Sequence, residues 1–264
     1  MRKLLLGVAR LLLLGAASGL LPAALRAEES VAYFNIPVDV APDVAQPLAK
    51  DGPVRVVLEA VDPERLVALL ARRGGVARAD GRVELLLGAY RPADFTGERD
   101  WLAPSFFVDY EDAPVPELVG QLRASHRSPQ PSDIVRFVAD VVQGSYDRGI
   151  DVASRVARDR RGDCTEFAVL TTALARAAGL PARVVLGVAL NTHEGRIEAY
   201  GHAWSEIAVQ GSWQVADAAL VPIAGSIRYL PLGVLENEGP GYVMGVAQLM
   251  PGWVKRISIL PAQM

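Results

Sequence analysis

Two kinds of apolar spacing divide the chain. In the first part the pattern is short and strand-like. Val54 to Val61 (VRVVLEAV) is rich in β-branched residues and reads as a strand. Asp62-Pro63 follows, an N-cap with proline at the first helical position. The helix it opens is expected to run to about Arg73 and to stop at Gly74-Gly75. Arg82 to Leu87 reads as another strand, so this stretch is a small α/β module. It shows no chemistry of its own.

In the second part the spacing turns helical. Pro92, Pro104, Pro114, Pro116, Pro129 and Pro131 punctuate a connection that holds a short helix near Glu117 to Ala124. From Ser132 to Gln143, Ile134, Val135, Val138, Val141 and Val142 fall on one helical stripe. The next helix opens at Asp163, with Phe167, Leu170, Leu174 and Ala178 as its buried stripe. Gly179 ends it and Pro181 prevents continuation. Strands then follow at Ala182 to Leu190, Tyr200 to Val209 and Trp213 to Asp217. Helices first and an antiparallel sheet after them is α+β order. The final stretch, from Tyr229 on, mixes strand and helix signals and yields no placement.

The N-terminus carries a different signal. Arg2 and Lys3 precede an apolar run that Arg10 interrupts and that continues unbroken from Leu11 to Leu21. A membrane span needs about 20 apolar residues, more than Arg10 leaves. A cleaved secretory signal ending near Ala27 fits the pattern, and an uncleaved inner-membrane anchor is the alternative. No cysteine lies in this segment, which excludes a lipoprotein signal. The expected organisation is a signal peptide over 1–27, the α/β module over 28–95, the main core over 96–225, and a C-terminal extension over 226–264 packed on that core. The expected location is periplasmic or secreted, with no stable membrane insertion after cleavage. Removing 1–27 takes away four basic residues and no acid, which moves the formal net charge from −3 to −7. That acidic balance, without a basic tract, argues against nucleic acid as a partner.

An exported chain with a single cysteine has a free thiol, and Cys164 therefore raises a question. Asp163 is a good N-cap and Glu166 lies three residues on, a capping-box arrangement that puts Cys164 at the first helical position. Unpaired backbone N–H groups and the positive end of the helix dipole favour a thiolate there and could stabilise an oxyanion. The position alone leaves two readings open, a nucleophile or a small buried apolar residue. Arg161-Gly162-Asp163 also spells an integrin-type tripeptide, although the helix start already accounts for Gly162 and Asp163.

A thiol nucleophile needs a base, and the base needs an orienting group. His126 falls in the proline-rich connection and His193 in a loop, both expected to face solvent. His202 lies in YGHAWSEIAVQGSWQVAD, two strands joined by a tight turn. A two-residue turn at Gln210-Gly211 sets Val209 opposite Ser212 and Trp204 opposite Asp217. His202 then shares a face with Asp217 as its diagonal neighbour, with Cβ atoms within about 7–8 Å. A three-residue turn would put the two on opposite faces.

The segments RGDCTEFAVLTTALARAAGLPARVV, GHAW and WQVADAAL, in this order, resemble the core of the transglutaminase-like superfamily over about residues 115–222. The resemblance implies a papain-like fold with helices packed on an antiparallel sheet. It also implies Cys164 as nucleophile, His202 as general base and then acid, and Asp217 as the group that orients His202. Ala218 stands where members often have proline. No tryptophan precedes Cys164 at a position matching the oxyanion-hole residue of the animal enzymes, which leaves Tyr146 or a backbone N–H for that role. No acidic loop has calcium-ligand spacing and no fourth ligand completes a zinc set, so no metal and no cofactor is expected.

Two functions follow. One is an exported thiol-dependent enzyme acting on amide bonds of a protein or peptide substrate, by acyl transfer or hydrolysis through a thioester. The other is a non-catalytic extracytoplasmic binding or scaffold module that keeps the fold.

Overall fold

The computed structural model describes residues 35–42, 44, 53–71, 75–88, 92, 94–97, 99–146, 150–193, 195–221, 227–247 and 253–261. The segment read as a secretory signal lies outside them. In chain order the elements are β1 (Asn35–Ile36), β2 (Val38–Val40), β3 (Val54–Ala60), α1 (Pro63–Leu70), β4 (Val76–Ala77) and β5 (Val83–Leu87). Then come α2 (Val115–Ser125), α3 (Pro131–Val141), β6 (Gln143–Gly144), α4 (Ala153–Asp159), β7 (Arg161–Gly162) and α5 (Cys164–Ala177). The last are β8 (Ala182–His193), β9 (Arg196–Val209), β10 (Ser212–Ala216), β11 (Arg228–Val234), α6 (Tyr242–Ala247) and β12 (Val254–Leu260). The architecture is α+β, with a helical layer on an antiparallel sheet.

That sheet is built on the β8–β9 hairpin, paired without a break from Ala182 opposite Ile207 to His193 opposite Arg196. β11 joins the free edge of β8, while β10 and β1 share the other edge of β9, all antiparallel. The β9–β10 turn is the two-residue Gln210-Gly211, with φ of 52° and 78°. Both residues are left-handed, which matches the twist of the flanking strands and pins Ser212 opposite Val209. His193 ends a strand here rather than sitting in a loop, because the hairpin is longer than its apolar centre suggests.

Helices α2 to α5 cover one face. Leu118, Leu122, Ile134, Val138, Leu170 and Leu174 pack against Val184, Ala203 and Ile207 in one apolar core. Within α5 every residue from Glu166 to Arg176 is buried, so this helix is enclosed on all sides rather than lying on the surface. Its C-terminal end is anchored by Arg176, whose guanidinium donates two bonds to the Glu238 carboxylate at 2.7 and 2.8 Å and others to Ala182 O and Ala103 O.

A second sheet runs in the order β2-β12-β3-β5-β4. It contains the strand–helix–strand unit, and α1 is capped as its sequence implies, Asp62 Oδ1 accepting from Arg65 N at 2.9 Å. Leu66 and Leu70 of α1 share a core with Val56, Leu58, Ile257, Val188 and Leu230, which joins this sheet to the first. The segment 226–264, expected to pack on the main core, divides between the sheets. β11 pairs with β8, but β12 inserts between β2 and β3. Val254, Ile257 and Ile259 are buried there, and this strand from the far end of the chain pairs with both neighbours.

Candidate functional site

The site forms where the first turn of α5 meets the middle of the β8–β9–β10–β11 sheet. The helix start is a complete capping box. Asp163 Oδ1 accepts from Thr165 N at 2.8 Å, and Glu166 Oε2 accepts from Asp163 N at 2.8 Å. Glu166 Oε1 also accepts from Asp151 N at 3.1 Å, tying the turn to the start of α4. Gly162 is packed against this carboxylate so closely that a Cβ would lie 2.1 Å from Glu166 Cβ. The buried Gly162 and the capping Asp163 thus give the Arg161-Gly162-Asp163 tripeptide a structural role. Burial, and then the neighbouring Asp163 charge, push Glu166 up to about 8. Cys164 follows the cap, partly exposed, as a free thiol.

The thiol neighbours His202, and its interaction with the ring favours the charged imidazole. On the other side of the ring, His202 Nε2 lies 2.8 Å from Asp217 Oδ2, which leaves Nδ1 for the thiol. His202 and Asp217 are 2% and 6% exposed at their side chains, so water barely screens the pair. Burial opposes a charged imidazole, but the Asp217 charge and hydrogen bond, with Cys164 adding to them, outweigh it and push His202 up to about 10. The structure therefore pairs His202 with Asp217 and sets Cys164, at the start of α5, beside the ring.

Asp217 is not a strand residue, as its sequence pattern suggested. It follows the last β10 residue, Ala216, and turns the chain: Oδ1 accepts from Ala219 N at 3.1 Å and Leu220 N at 3.3 Å. Ala218, the residue after Asp217, is buried in the helical core. His126 and His193 lie apart from this group. His126 closes α2, with Nδ1 3.7 Å from Asp133 on α3, and His193 ends β8.

Sequence reasoning missed the aromatic surroundings. Tyr200, Trp204 and Tyr229 enclose the imidazole, with ring centroids 5.7, 6.2 and 6.5 Å from it. Tyr229 donates its hydroxyl to Asp217 Oδ2 at 2.8 Å. Burial and the Asp217 charge raise the Tyr200 and Tyr229 phenols well above their ordinary value, so both remain protonated. The ladder makes room for the rings: Ala189 stands between Tyr200 and Tyr229, and Gly187 between His202 and Pro231. The alternation of Tyr200, His202 and Trp204 along one strand was the available signal for two of these neighbours. Tyr229 lay in the stretch that gave no placement.

The sequence profile of the transglutaminase-like superfamily matches residues 117–218, a span that holds Cys164, His202 and Asp217. No curated protein matches the chain. Among solved structures, a proposed cysteine protease from Cytophaga hutchinsonii is 15% identical, with 76% of this chain and 78% of that one covered at a TM-score of 0.41. The periplasmic domain of TgpA from Pseudomonas aeruginosa, bound to ethylmercury, is 21% identical over 53% of this chain and 56% of that one, at a TM-score of 0.32. A TGase is 18% identical over 72% of this chain and 60% of that one, at a TM-score of 0.30. The likeness rests on the sequence match: residues 117–218 of this chain are similar to the core of the transglutaminase-like superfamily.

Proposed function

We propose that this protein is a thiol-dependent enzyme acting on carboxamide or peptide bonds. The observation that supports the reading best is the buried His202–Asp217 pair beside the partly exposed Cys164, with the imidazole pushed well above its ordinary value. Cys164 Sγ, as thiolate, attacks the carbonyl carbon, and the C=O electron pair moves onto oxygen. The backbone N–H of Cys164, which the capping box does not use, is the oxyanion donor in this reading. As the tetrahedral adduct collapses, the C–N bond breaks and the His202 Nδ1 proton passes to the leaving amine. A thioester on Cys164 remains. A second nucleophile, water or a primary amine, then gives up a proton to His202 and displaces the thiolate. Asp217 holds the ring throughout.

Whether water or an amine resolves the thioester depends on the pocket around Cys164 and on how well it excludes water. Casein incubated with a fluorescent primary amine separates the two fates. Label incorporation reports acyl transfer; ammonia or new N-termini without incorporation report hydrolysis. Either activity should vanish in Cys164→Ala, and an activity that survives this substitution contradicts the reading. The non-catalytic module, by contrast, shows neither. Export is part of the proposal and rests on the N-terminal pattern of residues 1–27. N-terminal sequencing of protein recovered from the periplasm should start near Glu28, whereas Met1 on protein in the membrane fraction favours the anchor.

A further inference from the structure

Asp217 has more donors than orientation requires. Its Oδ1 is held by the Ala219 and Leu220 N–H groups, which fix the carboxylate plane without help from Tyr229. Its Oδ2 nevertheless accepts from two groups, His202 Nε2 and the Tyr229 hydroxyl, each at 2.8 Å. Tyr229 lies beyond the residues that match the superfamily profile, on a strand that the matched core does not contain.

We propose that Tyr229 is a positioning residue that tunes the proton on His202: by donating to the oxygen that holds the imidazolium, its hydroxyl weakens that hold and keeps the ring able to release its proton to a leaving amine. This rests on the thiol-enzyme reading. The two donors share one oxygen. When His202 is charged, the imidazolium compensates most of the Asp217 charge; when it is neutral, the phenol takes a larger part. The hydroxyl therefore stabilises the neutral ring more than the charged one. Burial makes this effect strong, because no bulk water replaces the phenol. Among the described residues, the other titratable groups acting on the pair are Cys164 from α5 and Tyr200 from β9, with Glu198 and Tyr146 acting on Tyr200.

Tyr200 provides a matched control. It stands in the same ladder row as Tyr229, across Ala189, and its ring is near the same imidazole. Its hydroxyl is buried but has no hydrogen-bond partner among the described residues.

The experiment is a pH titration of the full chain followed by NMR with ¹⁵N-labelled histidine. There are three histidines, and His202→Gln assigns the signal of interest. Tyr229→Phe should raise the His202 midpoint by about half to one pH unit, a three- to tenfold gain in proton affinity. Tyr200→Phe should leave it where it is. A midpoint in Tyr229→Phe within about 0.2 unit of wild type overturns the proposal, and so does an equal shift in Tyr200→Phe, which would make the effect one of packing. A second measurement needs no variant. In the wild type the Tyr229 hydroxyl proton should be protected from exchange and give an Overhauser contact to the His202 Nε2 proton; a freely exchanging hydroxyl overturns the proposal. Iodoacetamide labelling of the same samples separates the two readings. Labelling that ignores His202 sinks the enzyme, whereas labelling that depends on His202, with an unshifted midpoint in Tyr229→Phe, sinks the Tyr229 role alone.

Discussion

Gly187 stands directly across the β8–β9 ladder from His202, and the space its side chain would fill is already taken. A Cβ there would lie 2.2 Å from Leu230 O and 2.9 Å from Cη2 of Trp204. The glycine lets β11 approach β8 and lets Trp204 lean toward Tyr229, with ring centroids 4.9 Å apart. Gly187→Ala should therefore destabilise the fold by about 1–3 kcal/mol. It should also slow alkylation of Cys164, because the aromatic wall behind His202 shifts. Urea unfolding and iodoacetamide rates on the same samples check both; unchanged stability would show that β11 can move aside without cost.

Stability should fall as pH rises, in two windows of the same sign. Glu166 is raised from 4.5 to about 8 in the folded protein, chiefly by burial. Its contribution is fully present below its unfolded value and is lost as pH rises through about 8. His202 is raised from 6.5 to about 10 against the cost of burial, by Asp217 and Cys164. Its contribution is complete below 6.5 and is lost as pH rises through about 10. Urea midpoints taken across this range should decline steadily in the wild type. Glu166→Gln should flatten the lower window and leave the upper one. A midpoint that rises with pH across the lower window would contradict the reading of Glu166.

The Arg176–Glu238 pair predicts a non-additive response. Both side chains are almost fully buried, at 2% and 3% exposure. Glu238→Ala should cost about 3–5 kcal/mol, since it leaves a guanidinium buried without its counter-charge. Replacing both, as Arg176→Met with Glu238→Leu, should recover much of that loss. Thermal unfolding of the single and double variants gives the answer, and equal losses in both would mean that the pair itself supplies the stability.

Local rules carried the sequence reading as far as local signals reach. The α5 start was legible because capping is encoded within four residues, Asp163 to Glu166. The Gln210-Gly211 turn was legible because glycine supplies the positive φ that a two-residue hairpin loop needs, and the observed ladder has that register. The place of β12 was not legible. Its pairing partners are β2 and β3, roughly 200 residues away in sequence, and no local pattern encodes such a contact. Tyr229 was hidden for the same reason, since its meaning comes from the ladder row it shares with Ala189 and Tyr200. The short elements α4, β6 and β7 escaped because two to seven residues are too few to show a period.

The most direct test of the account is the pH dependence of thiol alkylation, because the chain has one cysteine and the label has one place to go. If His202 is the protonated partner of the Cys164 thiolate, wild-type protein should react with iodoacetamide at pH 6 within about threefold of its rate at pH 8. His202→Ala should behave as an ordinary thiol and lose on the order of a hundredfold over the same interval. Asp217→Asn should fall between them, since the ring keeps its place but loses its counter-charge. Wild type and His202→Ala reacting at the same rate throughout would contradict the enzyme and leave only the fold.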